Sequence, residues 1–251
     1  MNFPLSSIQI IAFVALLLSC TKNNIAVSPA TTYPVPEVYK KIYGASSITS
    51  DGSFITIKTQ GVPDHESVYY STSNPLYKDF SGTTYGGTTF TKNPNFIVAQ
   101  NYTFTIPLSP VVATNHQPTN LGAIGVAING VVFFNQYNGS NRPLSNETAS
   151  FDKYYGHPAP TNEYHYHVEP IYLTNVKFSR SVLVGFLLDG LPVYGPIENG
   201  ALVTNTQLDA YHGHISATTD YPNGIYHYHI TDADPYINGS GFYGTPGTFS
   251  K

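Results

Sequence analysis

The stretch NEYHYHVEP at residues 162–170 contains a Tyr-His-Tyr-His tetrad that returns in NGIYHYHITD at residues 223–232. In a β-strand, the side chains of residues i and i+2 point to the same face. Each tetrad therefore predicts a strand with two histidines on one face, such as His165 and His167 in the first copy. The two tyrosines of each tetrad are expected to pack into the sheet on the opposite face.

Two further blocks recur in the same order around the tetrads. GVAINGVVFFN at 125–135 aligns with GFLLDGLPVYG at 185–195, and FDKYYGH at 151–157 aligns with LDAYHGH at 208–214. Each copy predicts a β-hairpin around an Asn-Gly or Asp-Gly turn, followed by a short helical turn that ends at a glycine. A YHYH strand then completes the unit. We interpret the three ordered matches as an internal duplication.

The composition indicates a mainly β protein. With 21 Tyr, 21 Gly, 19 Pro and no Trp, the chain favours short strands and many turns. In the first half, strand-like runs lie at residues 54–60, 67–71 and 95–108. The predicted organisation is a lipoprotein signal peptide at 1–19, a tether at 20–45, an N-terminal β segment at 46–110 packed on the rest, and a duplicated domain at 111–251 with copies at about 121–170 and 181–232.

The start of the chain predicts export and lipidation. Residues 8–18 form an apolar run, broken only by Gln9, that is too short to span a bilayer. The run leads into Leu-Leu-Ser-Cys, which is typical of a bacterial lipobox with Cys20 as the lipidated residue. No Lys or Arg precedes the run, so an ordinary secretory signal is the alternative. The lipobox interpretation predicts a protein anchored to the membrane of the bacterial cell envelope by its lipid alone.

The histidines suggest a metal site. The GH turn before each tetrad adds a third histidine, and three neutral imidazoles suit zinc or copper. His-x-His pairs also occur on exposed strands without metal, but seven of the nine histidines fall in the two matching blocks, and burying them without partners would be costly. Whether the copies form two sites or share one stays open. The predicted metal ligands are His157, His165, His167, His214, His227 and His229.

Other polar residues near these blocks are candidates for supporting roles. Asp152 and Asp209 precede the GH histidines by the same offset, so they are expected to be metal ligands or acceptors that orient a histidine. His212 lies beside the second copy alone. His65 could reach the site from the first half of the chain, whereas His116 is expected in a solvated loop.

The chain resembles the YHYH protein family from about residue 46 to its end. The resemblance rests on IGVAINGVVFFN, GHPAPTNEYHYH, GFLLDGLPVYGP and the LDAYHGH and NGIYHYH blocks. Membership implies a secreted or surface location and a histidine site, and it names no reaction.

Three classes of function are compatible with these features. Charged residues make up 10% of the chain, and the net charge is −4. The sequence has no basic stripe of the kind that would indicate nucleic-acid binding. The chain is predicted to bind or store zinc or copper, to be a metal-dependent hydrolase or oxidase of the envelope, or to bind a glycan or protein through tyrosines around a structural metal. An enzyme would draw its general acid or base from Asp152, Asp209, Glu163 or Glu169. Metal binding is the leading prediction, and catalysis, like the identity of any small-molecule, glycan or protein partner, stays open.

Overall fold

Short β-strands make up most of the regular structure. The computed structural model describes Met1 and residues 33–251, so Cys20 and the predicted signal peptide beyond Met1 lie outside the described residues. The strands are β1 (Ala45–Ser50), β2 (Phe54–Thr59), β3 (Tyr102–Pro107), β4 (Gly125–Ala127), β5 (Val132–Phe133), β6 (Gly156–Pro158), β7 (Tyr164–Tyr166), β8 (Leu183–Leu187), β9 (Pro192–Tyr194), β10 (Ile197–Glu198), β11 (Ala201–Leu202), β12 (Gly213–Ser216), β13 (Ile225–His229) and β14 (Thr248–Ser250). The helical elements of the described residues are α1 (Glu37–Lys40), 3₁₀ turns at Tyr85–Gly87, Leu144–Asn146, Thr148–Ser150 and Asn205–Gln207, and a π-helical segment at Tyr172–Lys177.

Both YHYH tetrads lie in one eight-stranded sheet with the order β12-β13-β9-β8-β4-β5-β7-β6. In each half, the return strand of a hairpin (β4-β5 or β8-β9) pairs in parallel with the YHYH strand. The GH strand lies beyond the YHYH strand and forms the edge of the sheet. The hairpin strands β4 and β8 pair antiparallel at the centre, with Val126 opposite Phe186. Two units related by a twofold axis would give this order, which is consistent with the interpretation as a duplication. The predicted mainly β fold is confirmed.

The first part of the chain forms a four-stranded antiparallel sheet with the order β1-β2-β3-β14. Strand β3 alternates between buried and half-buried residues, as expected when one face of a sheet covers a core. Phe104 and Ile106 from this strand belong to the same hydrophobic core as Val126, Phe133 and Phe186 of the larger sheet. The N-terminal β segment therefore packs on the YHYH region, and β14 returns from the end of the chain to complete its sheet.

Two of the predicted strands are wrong in extent. Residues 67–71 form no strand, because only Ser67 makes an isolated bridge, to Tyr77, although Val68 and the tyrosines after it are buried. In the run 95–108, only residues 102–107 pair as a strand. Apolar and aromatic residues predicted a strand in both stretches, but residues 67–70 are buried without forming a strand, and Phe96 and Val98 of the second run are exposed.

The predicted tether extends too far along the chain. Helix α1 lies inside its range, and Tyr39 and Ile42 are buried in the main core. The Tyr39 ring packs against Phe186, with the ring centroids 4.6 Å apart. The folded unit therefore includes residues that the proline-rich composition had assigned to a linker.

The predicted helical turns exist but are shorter than expected. They are 3₁₀ turns that end at Ser150 and Gln207, and Gly156 and Gly213 begin strands instead of ending helices. The residues just before the two glycines have positive φ angles, 67° at Tyr155 and 73° at His212. Among the described residues, no helix is long and apolar enough to cross a bilayer.

Candidate metal centres

The first tetrad places its histidines next to the histidine of the preceding GH strand. His157 lies directly opposite His165 in the antiparallel pair of β6 and β7, and His167 follows two residues later on the same face. All three are buried, and each offers one ligand atom within 4.8 Å of the others. We call these three residues the first centre.

The second tetrad builds a similar group with one addition. His214 lies opposite His227 in the pair of β12 and β13, and His229 completes the three. Glu198, from the short strand β10, joins them, with Oε2 3.2 Å from His214 Nε2 and Oε1 3.5 Å from His227 Nε2. We call these four residues the second centre. The two groups lie in the two halves of the sheet, so the histidines form two centres and not one shared centre.

Backbone carbonyls fix the protonation of the tetrad histidines. In the first centre, Nδ1 of His165 lies 3.2 Å from the Glu163 carbonyl oxygen, and Nδ1 of His167 lies 2.5 Å from that of Asn135. A carbonyl oxygen can only accept, so each Nδ1 must carry the proton and donate. A neutral imidazole has one N–H, and Nε2 of each ring is therefore left with a free lone pair.

The same arrangement holds in the second centre. Nδ1 of His227 donates to the Ile225 carbonyl at 3.0 Å, and Nδ1 of His229 donates to the Gly195 carbonyl at 2.9 Å. Orientation of a ligating histidine by a backbone carbonyl on its other nitrogen is a common feature of protein metal sites.

The free lone pairs of each tetrad face each other. Nε2 of His165 and Nε2 of His167 are 2.9 Å apart, and those of His227 and His229 are 3.0 Å apart. Two unprotonated nitrogens at this distance repel unless a cation lies between them. The separation is also close to the ~3.3 Å expected for two nitrogens that bind one ion tetrahedrally at about 2.0–2.1 Å.

Burial disfavours a proton as that cation. Removal from water lowers the pKa of His165 and that of His229 to about 4. The pKa values of His157 and His167 are also held well below the usual value, first by burial and then by the neighbouring imidazoles. All of these rings are therefore neutral near pH 7, which is the form that binds metal.

The third histidine of each centre has an Nε2 atom that makes no hydrogen bond and lies near a carboxylate. Nε2 of His157 and Nε2 of His214 are both buried and make no hydrogen bond. On the other side of its ring, Nδ1 of His157 lies 2.7 Å from the hydroxyl oxygen of Ser150. Glu147 approaches the first centre, with Oε1 3.5 Å from His157 Nε2, and its Oε2 is also buried and unpaired.

The surroundings of the two centres differ. The side chains of the three histidines in the first centre are each 2% exposed, and of these His157 borders a surface depression. In the second centre, the side chains of His214 and Glu198 are 25% and 20% exposed. His227 and His229 line a cleft of about 330 Å³ that is bordered by Tyr194. The second centre is therefore the more open of the two.

Asp152 and Asp209 are not placed as the sequence predicted. Both accept a hydrogen bond at 2.8 Å from the first tyrosine of their tetrad, Tyr164 or Tyr226, on the face opposite the histidines. Asp152 also accepts from the Ser67 hydroxyl. Neither aspartate contacts the ligand histidines, so the prediction that they are ligands or orient a histidine is wrong.

The second tyrosine of each tetrad is held by the hairpin turn. Asn129 donates to the Tyr166 hydroxyl at 3.1 Å, and the Tyr228 hydroxyl donates to Asp189 at 2.5 Å. These are the Asn and Asp of the Asn-Gly and Asp-Gly turns. His65 also lies on this tyrosine face, with Nε2 3.0 Å from the Tyr166 hydroxyl. His65 therefore does not reach the first centre.

The side chains of the remaining candidates have partners outside both centres. His212 Nε2 bonds the Thr231 hydroxyl at 3.0 Å, and His116 is partly buried by stacking on Tyr211 and not solvated as expected. Glu169 forms a two-pronged ion pair with Arg180. Glu163 pairs with Lys251 at 3.1 Å. None of the four carboxylates proposed as general acid or base is part of a metal centre.

The glycines of the GH turns are explained by the tyrosine face. A Cβ atom added to Gly156 would lie 2.5 Å from the Tyr164 hydroxyl, and one added to Gly213 would lie 2.5 Å from the Tyr226 hydroxyl. Real Cβ atoms essentially never come this close to another atom. The strand that carries each third histidine can therefore pass over the tyrosine because it has no side chain at this position.

Sequence reasoning missed Glu198 and Glu147. Glu198 follows the second hairpin in the segment PIENG, and the matching segment of the first copy, QYNG, is one residue shorter and has no acid. Glu147 comes from a different segment, in NETAS. A comparison of the two copies identifies residues that occur at equal positions in both. It therefore cannot identify an acidic residue that is present in one copy alone.

The fold and these centres define a class: a mainly β protein with two histidine clusters that could each hold a metal ion. The YHYH protein family model matches residues 103–201 and 197–241, which together span more than half of the chain. The chain belongs to the YHYH protein family. No curated protein and no solved structure matches it.

Proposed function

We propose that the protein binds zinc or copper ions at the first and second centres. The observation that carries the proposal is the pair of Nε2 atoms in each tetrad, 2.9 Å apart in the first and 3.0 Å apart in the second. Backbone carbonyls hold the protons on the other nitrogens, and burial disfavours further protonation. A metal ion removes the repulsion and uses every free lone pair.

Metal content per chain tests this proposal. Protein purified without a histidine tag and loaded with zinc or copper should hold about two ions per chain by elemental analysis. The double variant His165→Ala/His167→Ala should keep about one, and so should His227→Ala/His229→Ala. His116→Ala is the matched control, because His116 lies outside both centres, and it should keep both ions. Wild-type protein without bound metal, or full metal content in both double variants, would contradict the proposal.

We further propose that the protein is a lipid-anchored component of the bacterial cell envelope. Support comes from the apolar run at residues 8–18 followed by Leu-Leu-Ser-Cys, in which Cys20 would carry the lipid. Several acyl chains on one residue would suffice for stable anchoring. Cys20→Ala should leave an unprocessed precursor or release protein from the membrane fraction. Unchanged mature size and unchanged fractionation of that variant would contradict the anchor.

A further inference from the structure

The second centre opens into a cleft that can admit a small molecule. His227 and His229 both line this cleft of about 330 Å³, together with Glu198. An ion bound between these two rings would therefore be reached from the cleft. At the first centre, His157 and Glu147 border a shallower depression of about 520 Å³, whose lining does not include His165 or His167. The cleft therefore gives an external ligand access to both tetrad rings of the second centre, whereas the depression at the first centre reaches His157 and neither tetrad ring.

The charges of the cleft favour an anion once the metal is bound. Besides the histidines, its charged lining residues are Lys41, Glu198 and Asp220, and Lys41 forms an ion pair with Asp220. The two positive charges of a divalent ion and the one of Lys41 exceed the two negative charges of the carboxylates by one. A ligand with a single negative charge would neutralise the site.

Polar groups in the cleft suit an oxygen-bearing ligand. Thr218, Thr219, Ser181 and Asn199 line the walls and can donate hydrogen bonds. The Tyr194 hydroxyl donates to Asp220 at 2.9 Å, and so holds that carboxylate in the wall. Val182, Leu183 and Ile197 add apolar side chains to the lining, which suits a small organic molecule better than a bare inorganic ion.

We propose that the metal ion of the second centre, held by the three histidines and Glu198, takes a small organic monoanion of the carboxylate class from the cleft as a further ligand, while the first centre binds no external ligand. The carboxylate would place an oxygen on the metal and its remaining atoms against the polar wall of the cleft. This inference rests on the proposed metal binding and assigns a different role to each centre.

Azide binding to the copper-loaded protein tests the inference. Azide is a monoanion that gives a near-ultraviolet charge-transfer band when it binds to an open position of Cu²⁺. The wild type and His165→Ala/His167→Ala should show the band, and His227→Ala/His229→Ala should lose it. Acetate should displace azide from the wild type, as expected for a carboxylate that binds at the same position.

A matched pair of lysine variants tests the role of the cleft charge. Lys41→Met removes the positive charge at the cleft and should weaken azide binding by about two- to fivefold, as expected for a half-exposed charge. Lys40→Met is the control, because Lys40 pairs with Glu37 and does not line the cleft. It should bind azide as the wild type does.

Copper content, measured in the same samples, separates the possible failures. Wild-type protein without copper would overturn the proposed function itself. Copper at both centres without an azide band would overturn this inference and leave metal binding intact. A band that persists in His227→Ala/His229→Ala and disappears in His165→Ala/His167→Ala would place the open position at the first centre and equally overturn the inference.

Discussion

Removing the hydroxyl of Tyr228 should destabilise the protein and leave both metal centres intact. This hydroxyl lies on the side of β13 opposite His227 and His229 and donates to the fully buried carboxylate of Asp189 at 2.5 Å. It also accepts a hydrogen bond from the backbone N–H of Tyr243 at 2.8 Å. Tyr228→Phe removes both interactions in the core without changing the shape of the ring.

The expected loss follows from the contacts. A hydrogen bond to a charged group contributes about 1.5–3 kcal/mol, and a buried N–H left without its acceptor costs about 1 kcal/mol or more. Tyr228→Phe should therefore lower the free energy of unfolding by about 2–4 kcal/mol. Tyr226→Phe is the matched control on the same strand. Its partner Asp209 is exposed, so water can replace the lost hydroxyl and the loss should be at most about 1 kcal/mol.

The loss should depend on pH. Burial raises the pKa of Asp189 to about 6, so this carboxyl is ionised in the folded protein at pH 7.5 and mostly protonated at pH 5. The charged form needs the Tyr228 hydroxyl more, so the difference between wild type and Tyr228→Phe should be larger at pH 7.5. Histidine titration is common to both proteins and cancels from the difference.

Urea denaturation of the metal-free proteins at the two pH values measures these differences, and elemental analysis of loaded samples measures the metal. Equal stability of Tyr228→Phe and Tyr226→Phe would refute the energetic reasoning. Loss of one metal ion per chain in a folded Tyr228→Phe protein would show that the tyrosine, and not the histidine face alone, supports the centre.

Three further predictions concern the histidines, the GH glycines and Glu147. Burial lowers the pKa values of His165 and His229 to about 4, below the ~6.5 of unfolded histidine. Between these two values, the histidines bind protons in the unfolded chain and not in the folded protein. The free energy of unfolding of the metal-free protein should thus be constant above about pH 6.5 and fall as pH drops towards 4, and a flat urea-denaturation profile from pH 8 to 5 would contradict this. Gly156→Ala should cost about 1–3 kcal/mol in the same assay because its methyl group meets the Tyr164 ring, whereas Gly139→Ala, with open space around it, should be nearly neutral. Glu147→Gln should weaken metal binding at the first centre by about tenfold in a competition titration with a chelator. Glu163→Gln is the control, because it changes a carboxylate that pairs with Lys251, and it should not weaken binding. Equal metal affinities of the two variants would show that Glu147 does not support the metal.

The strand periodicity was enough to predict the chemistry of each face. Alternation alone separates His165 and His167 from the tyrosines between them, and the position of the GH turn indicates that His157 joins them. Pairing of β6 with β7 then brings His157 opposite His165, which depends only on a turn of suitable length. These residues could be predicted because their relations are local in the sequence.

The roles of the aspartates could not be predicted, because their spacing from the GH histidines does not determine which face of the sheet their side chains reach. Asp152 and Asp209 lie five residues before the GH histidines. The turn between them contains a residue with positive φ, at Tyr155 or His212, and the side chain ends on the tyrosine face. A residue with a side chain in the left-handed region is uncommon, and nothing in the sequence marks it.

Contacts between distant segments account for the other differences. His65 and Ser67 come from the first half of the chain and pack on the tyrosine face through Tyr166 and Asp152. Glu198 reaches the second centre on the ribbon of β10 and β11, which has no counterpart among the strands of the first copy. Such contacts are decided by the packing of one segment against another, and the pattern within either segment does not contain that information.

Anomalous diffraction from crystals of metal-loaded protein, recorded at the absorption edge of the bound metal, tests the central claim most directly. Two peaks per chain are predicted, one about 2.0–2.1 Å from the Nε2 atoms of His165 and His167 and the other at the same distance from those of His227 and His229. The absence of any peak between these rings, or a peak on the tyrosine face, would contradict the account and leave the histidine pairs without a metal.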